Sequence, residues 1–121
     1  MFVHLLSSSL YIISEWLSTL IATTTKLSGA RASSSDLARV LYLITRFKSV
    51  KSISACEMYY AGDETVVEAD VVLPVGMPLK EVHDTMEILA YCLETMPSVG
   101  RAYIHPDYNS LGQPAHISDR G

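Results

Sequence analysis

Two amphipathic helical stripes, an alternating hairpin between them and a short terminal strand follow one another as helix, strand, strand, helix, strand. That order predicts an α+β fold of the ferredoxin-like, split β-α-β kind, with three strands and two helices on one face of the sheet. With 49 % apolar and only 18 % charged residues, a 121-residue chain can build one such core plus an appendage, but not two domains. The appendage is the hydrophobic segment that leads the chain.

That segment, residues 1–27, contains "FVHLLSSSLYIISEWLSTLIATTTKL", in which the only acid is Glu15 and the only histidine is His4. It barely reaches the roughly 20 mostly apolar residues that a membrane span needs. Tyr11 and Trp16 suit a bilayer interface, and basic residues begin at Lys26, as on a cytoplasmic side. Ser7, Ser8, Ser9 and Glu15 suit an amphipathic helix packed on a partner or lying on a surface, so both readings stand on the residues alone. No basic stretch precedes the apolar run, which argues against a signal peptide. "SGARASSSD" then reads as a linker over 28–35, with Ser35 or Asp36 placed to cap the next helix.

The domain proper is expected over 36–108. Leu37, Val40, Leu41, Ile44 and Phe47 recur at helical spacing. "VKSISACEMYY" and "TVVEADVVL" flank the turn "AGDE" and form a hairpin from about Lys51 to Leu73. On its second strand Thr65, Val67, Ala69, Val71 and Leu73 share the expected core face, leaving Glu68 and Asp70 on the other with Val66 and Val72. The second helix opens at Pro78 and carries the stripe Leu79, Val82, Met86, Leu89, Leu93 and Met96. "SVGRAYIHPDY" is the third strand; Pro106 cannot donate to a ladder, so this strand is an edge or ends there. Residues 109–121 read as a flexible tail.

Charge is unevenly divided. Residues 1–51 carry +4 and residues 52–121 carry −8, so the second half suits cations and argues against nucleic acid as a partner. Cys56 and Cys92 lie far apart, forming neither a disulfide framework nor a zinc-ribbon pattern. The chain has no Gly-x-Ser-x-Gly elbow, no Gly-rich phosphate loop and no His-Glu-x-x-His pair, which excludes the common enzyme classes.

The chemistry-bearing candidates are His105 and Asp107, which project from one face of a strand, and His83 at the start of the second helix. Asp70, on the neighbouring strand, is a fourth candidate. Imidazole nitrogen with carboxylate oxygen suits Zn²⁺ and tolerates other divalent first-row ions. His-x-Asp spacing is common, so on the residues alone His83 is equally a surface histidine, and His105 with Asp107 a solvated strand end.

Three stretches, "VEADVVLP", "PLKEVHD" and "RAYIHPDY", resemble in that order the C-terminal cytoplasmic domain of the cation diffusion facilitator family, its manganese-type fungal and plant branch most of all. "LYIISEWLSTLIATTTKLSGARAS" resembles that family's last transmembrane helix and connector. The resemblance covers about residues 7–108 and implies a metallochaperone-like cytoplasmic domain that forms homodimers and binds a regulatory divalent cation, Zn or Mn, through His83, His105 and Asp107. Asp70 falls where some members carry a histidine. It implies a membrane location through the N-terminal helix, with the domain in the cytoplasm. The family's six-helix transport domain has no counterpart in these 121 residues, so the expectation is a truncated member that cannot transport alone. The alternative is a soluble, self-associating structural domain with no functional metal site.

Overall fold

The computed structural model describes residues 1–109; the tail expected from 109 onward lies, beyond Asn109, outside the described residues. Apolar spacing and caps account for the three helices. α1 runs Phe2–Leu27 and is long and apolar enough to cross a bilayer, with none of its residues buried. His4, Ser8, Tyr11, Glu15 and Ser18 recur every three or four residues and so line one face of it. Its hydroxyls turn inward: Ser7 donates to the His4 carbonyl, Thr19 to Glu15 and Thr25 to Ile21, which satisfies them within the helix.

α2 spans Ser34–Thr45 and starts earlier than the sequence suggests. Ser33, not Ser35 or Asp36, is the cap: its Oγ accepts the Asp36 amide at 3.2 Å and donates to Asp36 Oδ2 at 2.7 Å. The helix seats Val40 and Ile44, both fully buried, on the sheet.

β1 (Ser52–Ala61) and β2 (Glu64–Val72) form the expected antiparallel hairpin around Gly62 and Asp63. The register slips between Ile53 and Ala55, so Ser54 is an extra residue. That bulge explains how Ile53 and Cys56, three apart, both pack against the core. On β2 Val67, Ala69 and Val71 are buried under the helices, as alternation requires, and Leu73 just beyond it is buried too. Val66 and Val72, on the opposite face, are buried as well. They lie in the middle strand, between Tyr59 and Arg101 and between Ser52 and Asp107, and those neighbours cover them.

α3 (Leu79–Glu94) is opened by Pro78 and buries Met86, Leu89 and Leu93. Leu79, expected in the same stripe, is 83 % exposed: it sits on the first turn of α3, at the rim of the helix–β3 groove and outside the core. A parallel strand β3 (Arg101–Asp107) completes the sheet in the order β1-β2-β3. β3 is an edge, as expected, yet Pro106 does not end it. The Leu73 amide donates to the Asp107 carbonyl at 2.8 Å, so odd residues of β3 turn their backbone toward β2 and even ones turn outward. Pro106 therefore occupies a position where the ladder needs no donor. The outward Ala102 amide is taken by Glu94 Oε1 at 3.1 Å. α2 and α3 cover one face of the sheet and share one core with Met58, Val67, Val71, Val99 and Ala102, leaving the other face open.

Candidate metal centre

The open face is built by the residues that alternate away from the core. In cross-strand rows these are Glu57, Glu68 and Tyr103, then Ala55, Asp70 and His105, then Ser52, Val72 and Asp107. Among the described residues the four carboxylates Glu57, Glu68, Asp70 and Asp107 outnumber the cations Arg101 and Arg31, the latter opposite Tyr59, and make the face a cation-attracting one. Parallel register sets Asp70 beside His105, and their side chains meet, with His105 Nδ1 3.2 Å from Asp70 Oδ1. One row below, Tyr59 Oη donates to Glu68 Oε1 at 2.6 Å. Donating to a carboxylate holds the Tyr59 hydroxyl protonated and raises its pKa, with burial and the Glu68 charge acting in the same direction.

Asp107 follows on the same face as His105, but its Oδ1 is engaged locally, accepting the Tyr108 amide at 2.7 Å and the Asn109 amide at 3.1 Å. His83 is elsewhere. It lies on α3, with Nδ1 3.4 Å from Asp84 Oδ1 and 4.0 Å from Glu87 Oε2. Together with Leu79, Val82, Met86, Ile104 and Pro106 it lines a groove between α3 and the edge strand. Ile104 and Pro106 are the helix-facing residues of β3, so His83 sits on one side of that strand and His105 and Asp107 on the other.

The four sequence candidates thus divide. Asp70 and His105 touch, Asp107 neighbours them, and His83 does not converge with them within one chain. Among the described residues no group of three or more His, Cys, Asp or Glu is arranged to hold a metal ion. The donor chemistry suits Zn²⁺ or Mn²⁺, and among the described residues the donors seen to meet are Asp70 and His105. Sequence reasoning did not find the Tyr59–Glu68 pair. Tyr59 faces the same way as Glu57, a signal that alternation carries, but the bulge and the cross-strand register are needed to set it opposite Val66 and within reach of Glu68.

No protein-family model matches the chain. Metal tolerance protein 5 of Oryza sativa subsp. japonica is 37 % identical over 109 residues, covering 89 % of this chain and 26 % of that protein. Metal tolerance protein 11 of Arabidopsis thaliana is 34 % identical over 109 residues, 89 % of this chain and 28 % of that protein. The chain therefore spans little more than a quarter of the length of these curated relatives. Among solved structures, one described as the mode of action of a putative zinc transporter, CzrB, in its zinc form superposes with a TM-score of 0.59 at 17 % identity, covering 69 % of this chain and 96 % of that one. The fold is shared with that chain.

Proposed function

The chain belongs to the cation diffusion facilitator family, as a homologue of the plant metal tolerance proteins, and from that premise we propose that residues 36–108 are the cytoplasmic dimerisation and metal-sensing domain of a divalent-cation exporter. In this reading α1 is the end of a membrane helix, the transported ion is Zn²⁺, Mn²⁺ or a related divalent cation, and the chain performs no catalysis. The observation that carries it is the split of the candidate donors across β3. Asp70 and His105 meet on the acidic open face with Asp107 beside them, while His83 stands on the far side. Two copies packed with the open face of one against the α3 groove of the other would bring a partner copy's histidine to the pair, giving a three- or four-donor site that the described residues of one chain do not form. Cation binding would then favour one arrangement of the two copies over others.

Calorimetric titration of Zn²⁺ and Mn²⁺ into the chain in detergent, with sedimentation analysis alongside, tests this. Saturable heat, a shift toward dimer with metal and loss of both in a His83→Ala/His105→Ala double variant are expected. No heat at millimolar metal, or an unchanged isotherm in the double variant, refutes the metal site; a monomer at every concentration refutes the dimer. A second reading, a self-associating structural domain with no functional metal site, is favoured by the absence of any three-donor cluster among the described residues. It predicts dimerisation indifferent to metal.

A further inference from the structure

The connector between α1 and α2 has the Gly/Ser/Ala composition of a loose tether, but it is not placed as one. Directly after α1, Gly29 adopts φ +71°, a conformation that L side chains rarely take, and turns the chain onto the outer edge of β1. There Arg31 pairs antiparallel with Tyr59. The Ala32 amide donates to the Met58 carbonyl at 2.9 Å, and the Tyr60 amide donates to the Ala30 carbonyl at 2.8 Å. In the last turn of α1, Lys26 Nζ reaches 3.9 Å from Asp63 Oδ1 in the hairpin turn. Ser33 then caps α2 at once. Only six residues separate Leu27 from Ser34, and three of them lie along β1.

We infer that residues 29–32 are a clasp that joins α1 and the sheet into one body when closed and frees α1 when open, so that events on the open sheet face bias the orientation of the helix. The closed state leaves little slack: only Ser28 and Gly29 stand between the end of α1 and the paired residues, so with both backbone bonds made α1 can turn relative to β1 only about those two residues. Opening is nevertheless inexpensive. Arg31 is exposed, Ala32 is only half-buried, and the Lys26–Asp63 pair is solvent-exposed and screened. The link to the open face is Tyr59. It stands opposite Arg31, between the Met58 carbonyl and the Tyr60 amide that hold the clasp, while its side chain donates to Glu68, two residues along β2 from the Asp70 that meets His105. A cation or second copy that draws on Glu68 therefore acts on the strand segment that holds the clasp. The clasp rests on reading α1 as a membrane helix, but its closure does not depend on metal.

The test uses the full chain in lipid nanodiscs. In a Cys56→Ser/Cys92→Ser background, spin labels at Ser18→Cys on α1 and Glu87→Cys on α3, both exposed, report the distance between helix and domain. A single narrow distribution is expected, broadened by Ala32→Pro, which removes the donor to Met58. Amide exchange needs no variant: the Ala32 and Tyr60 amides should exchange at least about tenfold slower than unpaired chain. Tyr59→Phe, which deletes only the hydroxyl, should speed exchange at Tyr60 severalfold. A broad distribution in the parent, or unprotected amides at both positions, overturns the clasp. Protection that is indifferent to Tyr59→Phe overturns its link to the open face. None of these measurements contains metal, so they stand or fall apart from the calorimetry above.

Discussion

Replacing Gly100 with alanine should destabilise the domain, and the structure sets both the sign and the size. Gly100 precedes β3 and donates its amide to the Thr65 carbonyl at 2.8 Å. A Cβ there would lie 3.1 Å from Glu64 Cβ, 3.2 Å from the Thr65 nitrogen and 3.2 Å from the Thr65 oxygen. Removing a glycine stiffens the unfolded chain and by itself favours folding by about 0.4–1 kcal/mol. Against this, an extra carbon in a packed site costs about 1–3 kcal/mol when its neighbours cannot move. Two of the three contacts are backbone atoms of Thr65, in the middle strand and paired on its other side with Tyr60, so the strand cannot retreat. The cost should win, leaving a net loss of about 0.5–2 kcal/mol, and each kcal/mol lowers the melting temperature of a domain this size by about 4–8 °C. Relief is available only if β3 moves outward, which would also lengthen the His105–Asp70 contact. Denaturant titration in non-ionic detergent, followed by far-ultraviolet circular dichroism, measures the midpoint at constant slope. A variant as stable as the parent, or more stable, would refute the argument that β2 is held in place at Thr65.

Leu89→Ala should cost about 2–5 kcal/mol because Leu89 is fully buried at the centre of α3, whereas Leu79→Ala, on an exposed side chain of the same stripe, should change stability by less than about 0.5 kcal/mol; the same denaturation assay separates them. Burial, reinforced by the charge of Glu57, pushes the Cys56 thiol up to about 11, leaving about a hundredth of the thiolate of an ordinary cysteine at pH 8; since a more basic thiolate is also more nucleophilic, its reaction with a disulfide reagent in a Cys92→Ser variant should be slower by about tenfold. The Tyr59 pKa is raised in the folded state, so the stability it contributes is present below the ordinary tyrosine value and is lost as pH rises through the raised one; absorbance titration should show one late-titrating tyrosine that moves earlier in Glu68→Gln.

Much of the fold is local in origin and could be read along the chain. The period of Val67, Ala69 and Val71 assigned the buried face of β2, and the spacing of Met86, Leu89 and Leu93 assigned that of α3, because burial acts on each residue through its own direction from the backbone. Pro106 marked the edge strand for the same reason. The ends of the elements were harder to read. Ser33 displaced Ser35 and Asp36 as the cap of α2, since several adjacent residues can each satisfy the first turn and only the path of the preceding chain selects one.

The site was legible as a set of residue types, but not as an arrangement. His105 and Asp107 were placed on one face by alternation alone, and the acidic charge of residues 52–121 already pointed to cations. Which residue stands beside which depends on strand register and on the side of the sheet that a helix occupies. Both are settled by contacts between residues far apart in sequence. Register brought Asp70, thirty-five residues away, to His105, and the packing of α3 on the core face carried His83 to the other side of β3. The connector shows the same limit. Its composition describes how freely it can bend, but the unpaired edge of β1, present only once the sheet has formed, decided that three of its residues lie along a strand.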